Sequence, residues 1–256
     1  MPRAIFRFYQ ELNDFLPPPQ RQIAFEYEWR DTPSIKHLIE ALGVPHTEVD
    51  LILVNDRSVD WAYQPQQNDR VAVYPVFESL DITPLIRLRP QPLREVRFVL
   101  DGHLGRLAAY LRMLGFDTGY QNHVDDAVLA QISKDEQRIL LTRDQGLLKR
   151  SAVTHGYWVR ATAPREQLRE VIARFDLQRL AQPFTRCLSC NGLLQAAALA
   201  DVKDEVPENA VRFYAEFWRC ASCHKIYWPG SHYQRMVQLI EEIHPTAEDA
   251  ESAELT

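Results

Sequence analysis

Apolar and polar residues alternate over the first third of the chain and bunch into short runs in the middle. Residues 3–9 and 22–29 read as strands. The second puts Ile23, Phe25, Tyr27 and Trp29 on one side and Glu26 and Glu28 on the other. Ile35, Leu38, Ile39 and Leu42 then recur at helical spacing. Thr32-Pro33 offers that helix an N-cap and a proline at its first position, and Gly43 a stop. Residues 51–54 form a buried-strand run, Asn55-Asp56 a tight turn, and residues 70–77 a last strand.

A proline- and arginine-bearing stretch follows, with Pro84, Pro90, Pro92, Arg87, Arg89 and Arg94, which discourages regular structure. After it the rhythm changes. Strands at 96–100, 116–120, 138–142 and 157–161 alternate with helices. The first helix has Leu104, Leu107, Ala108 and Leu111 on one face and stops near Gly115; the others span 125–134, 146–150 and 164–175. A βαβα rhythm predicts a mostly parallel sheet with helices on its faces. Further on come an aromatic strand at 211–218 and a helix at 233–243. The expected division is 1–80, a linker at 81–95, an α/β domain at 96–182, a cysteine-bearing module with its closing helix at 183–243, and a disordered acidic tail at 244–256.

The chain has 256 residues, 46% of them hydrophobic and 25% charged, enough for a sizeable core. No apolar run approaches the roughly 18 residues needed to span a bilayer, so no membrane partner is expected. The N-terminus has no signal-peptide core, and the expected location is cytoplasmic. The net charge of -6 hides a segregation. Residues 81–182 carry sixteen Lys/Arg against twelve Asp/Glu, while 1–80 carry seven against twelve and 183–256 six against eleven. A polyanion would therefore bind the middle of the chain.

In open parallel sheets, ligands sit beyond the carboxyl ends of the strands. Asp101 follows the strand VRFVL, Asp125 and Asp126 open the next helix but one, and Asp144 follows RILLT; Asp117 lies inside the second strand. Gathered at one rim, these carboxylates would repel unless a hard cation compensated, which selects Mg²⁺ or Mn²⁺ over zinc. Asp is also a favoured helix N-cap, and on the residues alone both readings stand. Arg143 beside Asp144 could hold a phosphate through its fork of donors. Arg106, Arg112 and Thr142 join it as candidate substrate contacts.

The four cysteines fall in two C-x-x-C pairs, Cys187/Cys190 and Cys220/Cys223, separated by 29 residues. Two such knuckles complete a tetrahedral S₄ site for Zn²⁺, with an iron–sulfur cluster as the lesser alternative; four thiolates leave no position for a water, so a zinc here is expected to be structural. Just beyond them, Lys225, Tyr227, Trp228, His232 and Tyr233 either contact single-stranded nucleic acid or pack the module.

The segment FVLDGHLGRLAAYLRMLGFDT, then VDD, RILLTRDQGLL, CLSC, CASC and YWPGSHY, resembles the C-terminal ribonuclease domain of the Mut-seven family, a PIN-like fold carrying a zinc ribbon. Residues 1–78 resemble the ubiquitin-like β-grasp domain often fused ahead of it, itself similar to the sulfur carriers of thiamin and molybdopterin synthesis. The resemblance implies metal-dependent cleavage of RNA phosphodiesters, with Asp101 and Asp144 matching acids that close core strands and Asp126 or Asp125 the acid supplied from a helix. PIN nucleases often have a fourth acid after the next strand; YWVRATA has none, and Asp117 is the substitute candidate. Sulfur carriers end in Gly-Gly, which this sequence lacks, so the β-grasp part is expected to recruit a protein partner or position RNA. The alternatives to a nuclease are a non-catalytic RNA- or ribosome-binding module and an adaptor.

Overall fold

The computed structural model describes residues 1–75, 88 and 95–243. The expected linker, apart from Leu88 and Glu95, and the acidic tail at 244–256 lie outside them.

The N-terminal elements are β1 (Arg3–Phe8), β2 (Phe25–Glu28), α1 (Ile35–Ala41), β3 (Val49–Val54), β4 (Arg57–Ser58) and β5 (Arg70–Pro75). They form a mixed sheet in the order β2-β1-β5-β3-β4, with β1 parallel to β5 and the other pairs antiparallel. Period-2 burial turns Phe6 and Phe8 inward, where they meet Ile35, Leu38 and Ile39 of α1 and Ile52 and Val73 of the sheet. This is the β-grasp arrangement. Asn55 and Asp56 both have positive φ, 48° and 66°, as a two-residue hairpin turn between β3 and β4 demands. Gly43 has φ 108°, and a Cβ there would lie 2.9 Å from the Phe15 carbonyl oxygen, so glycine ends α1 for two reasons. The helix start differs from the expectation at Thr32-Pro33. Ser34 is the cap, its Oγ accepting from the His37 N–H, while the Ile35 N–H donates to the Tyr63 carbonyl at 2.7 Å and fixes the entry of the chain.

The α/β region contains β6 (Arg97–Leu100), α2 (Gly105–Met113), β7 (Asp117–Tyr120), α3 (Asp126–Asp135), β8 (Ile139–Thr142), α4 (Gln145–Leu148), β9 (Gly156–Trp158) and α5 (Pro164–Arg174). The last region contains β10 (Leu194–Ala197), α6 (Leu199–Val202), α7 (Glu208–Phe213), β11 (Phe217–Cys220), β12 (Ile226–Tyr227) and α8 (Ser231–Ile243). The expected strand over 211–218 is corrected: Val211–Phe213 is the end of α7, and the strand begins at Phe217. Pro207 caps α7 and Glu208 opens it, so Ala210 is buried with Val202, Val206 and Phe217 in a small core.

The chain forms two compact units whose boundary does not follow the sequence division. One joins Met1–His103 to His123–Val159, the other Leu104–Asn122 to the chain from Arg160 onward. In the first, β6, β8 and β9 run parallel, with Val99 opposite Leu140 and Leu141 opposite Tyr157. Val99, Leu129, Leu140, Leu147, Leu148 and Val153 form their core. The β-grasp elements are bonded to this sheet. His46 stands between the Glu40 carboxylate (2.7 Å) and the Val153 carbonyl (2.8 Å), the Trp158 N–H donates to the Glu48 carboxylate, and the Phe15 ring lies 5.0 Å from that of Trp158. In the second unit, β10, β11 and β12 form an antiparallel ribbon. Among the described residues no helix is long and apolar enough to cross a membrane.

Candidate active site and metal centre

Strand register places side by side the two loops that carry Asp101 and Asp144. Leu100 of β6 pairs with Leu141 of β8, so Asp101 and Thr142 leave the strands side by side. The Thr142 hydroxyl donates to Asp101 Oδ2 at 2.8 Å and accepts the Asp144 N–H at 2.9 Å. One buried hydroxyl thus holds both acid-bearing loops. Asp144 caps α4, its Oδ1 accepting the Gly146 N–H at 2.7 Å, and its side chain is exposed. Capping therefore accounts for one oxygen of Asp144. It does not account for Asp125, which occupies the N-cap position of α3 with no capping hydrogen bond from its side chain. Asp126 follows in the first turn of α3, 3.8 Å from Arg150 Nη2. Both of those partners are about half exposed, so this ion pair is a weak tether.

The remaining candidates belong to the second unit or serve the scaffold. Asp117 Oδ1 accepts from Asn191 Nδ2 at 2.8 Å, and Arg186 lies 3.8 Å from its other oxygen. Arg112, expected to touch substrate, is 4% exposed. Its guanidinium donates to the carbonyls of Thr118, Leu188 and Ser189, clamping the first knuckle to α2 and β7. Burial pushes its pKa down, against the raising influence of Cys187, Cys190 and Asp117. Arg112 is thus not presented to a phosphate. Thr142, expected to touch substrate, is fully buried, its hydroxyl engaged by Asp101 and the Asp144 amide. Arg143 and Arg106 are exposed; the Arg143 carbonyl accepts the Trp158 indole N–H at 3.2 Å.

The two knuckles repeat one geometry. The Cys187 carbonyl accepts the Asn191 N–H and the Cys220 carbonyl the His224 N–H. Cys187 donates its N–H to Gly192 and Cys220 to Lys225. Asn191 and His224, each following the second cysteine of a pair, share positive φ of 71° and 62°. The four sulfur positions lie within 4.8 Å of one another, with Cys187–Cys223 at 3.6 Å and Cys190–Cys220 at 3.4 Å. Tetrahedral zinc with bonds of about 2.3 Å needs sulfurs roughly 3.8 Å apart, so the thiols fit that ion. Burial alone would raise the Cys187 thiol; hydrogen bonds from the Tyr227 hydroxyl and from the amides of Cys190 and Ser189 outweigh it and bring it down to about 6. A thiol so poised is ready to ligate. Among the described residues, these thiols are the one group of three or more His, Cys, Asp or Glu drawn so closely together; the carboxylates do not close to that spread.

Sequence reasoning passed over Trp158, Asn191 and Arg186. Asn191 alone carried a signal, since Asn tolerates the left-handed backbone a knuckle exit requires.

A parallel sheet, a four-thiol ribbon and an N-terminal β-grasp region define a mixed α/β protein. Residues 96–240 match the family described as Mut7-C RNAse domain, and residues 1–81 match Mut7-C ubiquitin. The chain belongs to the Mut7-C RNAse domain family. No curated protein and no solved structure matches it.

Proposed function

We propose that this chain is a divalent-metal-dependent ribonuclease that hydrolyses RNA phosphodiester bonds at Asp101 and Asp144, with Asp126 and Asp125 supplying the further carboxylates. The observation that carries this reading is the Thr142 hydroxyl shared between the Asp101 carboxylate and the Asp144 amide. It ties two acids, 43 positions apart in sequence, to adjacent strand ends. The donor set is all carboxylate oxygen, which suits Mg²⁺ or Mn²⁺. When bound, such an ion stabilises charge on the phosphoryl oxygens and acidifies a water. Thr142 fixes the direction of the Asp101 carboxylate, and the Gly146 amide fixes that of Asp144. Arg143 is assigned to the RNA phosphate. Asp117, Arg106 and Arg112 belong to the second unit, and the reading leans on none of them. Thiols in metal-type knuckles suit a reducing compartment, in keeping with a cytoplasmic enzyme.

With Mn²⁺, the purified chain is expected to cleave single-stranded RNA. Asp144→Asn should lower the rate by roughly two orders of magnitude or more with the melting temperature retained. Equal cleavage by the variant would sink the assignment.

One observation favours a second reading. The carboxylates do not close on one another as the thiols do. A non-catalytic RNA-binding module would show salt-sensitive binding without turnover, and no divalent binding at Asp101 and Asp144.

A further inference from the structure

We propose that the cleft on the cysteine ribbon is a slot for an unpaired base of single-stranded RNA, with Lys225 meeting an adjoining phosphate. This deepens the ribonuclease reading and rests on its choice of RNA as substrate. The cleft holds about 650 Å³. Its walls include Trp218 of β11, Tyr227 of β12, Trp228, Phe184 and Tyr233 of α8, all half-buried. They neither seal a core nor stand free in solvent. Trp228 is anchored on one side against the small core around Phe217, and Gly230 leaves room for its indole, which lies 3.0 Å from where a Cβ would stand. Phe184 and Tyr233 face each other with ring centres 4.4 Å apart.

Phe184 presents its ring from a strained backbone. Its φ is +62°, rare for a bulky side chain, and it is held there by its N–H to the Met113 carbonyl. The charge of the lining favours an anion beside Lys225. Arg186, Lys225 and His232 line the cleft, and no Asp or Glu does. Arg186 is engaged by the Gly115 and Asn191 carbonyls and faces the Asp117 carboxylate at 3.8 Å, so its charge is compensated and Lys225 is the cation left for a ligand. Lys225 is exposed, with its ammonium 3.4 Å from Ser189 Oγ. Aromatic faces that accept any base, beside a cation for the backbone, are the parts of a single-strand binding site.

The test uses the zinc-loaded full chain carrying Asp144→Asn, titrated with fluorescein-labelled hexauridylate and with an abasic oligomer of the same length. Hexauridylate is expected to bind at least tenfold more tightly than the abasic chain. Trp218→Ala and Tyr233→Ala should each weaken it about tenfold, the loss of one base stack, while Trp218→Phe stays within about threefold of the parent. Zinc content and melting temperature are measured for each variant. Should Trp218→Ala lose zinc, Tyr233→Ala, on α8, decides. Equal affinity for the abasic oligomer, or unchanged affinity in the folded alanine variants, overturns the slot. A concentration-dependent dimer abolished by the same substitutions also overturns it, by giving the cleft to a second copy. Base-dependent binding by a chain that cleaves nothing with Mn²⁺ keeps the slot and removes the nuclease. Cleavage whose KM is indifferent to Tyr233→Ala keeps the nuclease and removes the slot.

Discussion

Thr142 does two things with one oxygen. It donates to Asp101 and accepts from the amide of Asp144, inside a position with no exposure. Valine has nearly the same shape and neither capacity. Thr142→Val should therefore cost about 1–3 kcal/mol of stability, since both hydrogen bonds of the buried hydroxyl are lost. It should also slow RNA cleavage while leaving RNA affinity unchanged, because the acids lose their alignment and the substrate contacts do not. Thr142→Ser restores the hydroxyl and should recover the rate. A thermal melt beside a kcat and KM measurement checks both halves; a rate that stays low in the serine variant would count against alignment as the cause. Arg112 shows the opposite outcome for a polar side chain. The same basic surplus that made it look like an RNA contact is, at this position, turned inward onto three carbonyls.

At the scale of elements, the knuckles carry the second unit's ribbon. The strands β10, β11 and β12 are short, and their hydrophobic support is a cluster of four buried residues, Val202, Val206, Ala210 and Phe217. Such a ribbon is expected to fold on a metal held by the four thiols, because binding energy at a site of this kind is folding energy. Cys220→Ser is expected to lose the zinc and melt the ribbon, seen as about one zinc per chain falling to none by elemental analysis, with loss of far-ultraviolet ellipticity. A variant that kept both would remove the structural-zinc assignment. The element boundaries that moved, at Ser34 and at Phe217, did so for tertiary reasons. A loop carbonyl from Tyr63 fixed where α1 could begin, and burial of Ala210 drew the residues before β11 into a helix.

At the scale of the whole molecule, the β-grasp elements act as a brace for the edge of the parallel sheet. β9 lies at that edge, and His46, Glu48 and Phe15 reach Val153 and Trp158 on or beside it. Trp158 in turn bonds the carbonyl of Arg143, one residue before Asp144. A chain lacking residues 1–75 should thus melt at lower temperature and self-associate through its bared edge, rather than behave as an independent nuclease. Differential scanning calorimetry and light scattering test this. An unchanged melting temperature and a monomeric truncated chain would return the β-grasp region to a recruiting role alone.

The order of strands and helices in the α/β region, the acids that follow β6 and β8, and the paired cysteines were legible in the sequence, whereas β10, α6 and α7 were not. Hydrophobic period and residue chemistry are local properties, and a C-x-x-C pair carries its knuckle within a few residues. What the linear pattern could not hold is which strand lies beside which, and in what register. That pairing set Asp101 beside Thr142, while long-range side-chain bonds tied Arg112 to the first knuckle and the β-grasp region to β9. A hydrogen bond is decided by a few tenths of an ångström between residues far apart along the chain. Only the folded arrangement fixes such distances.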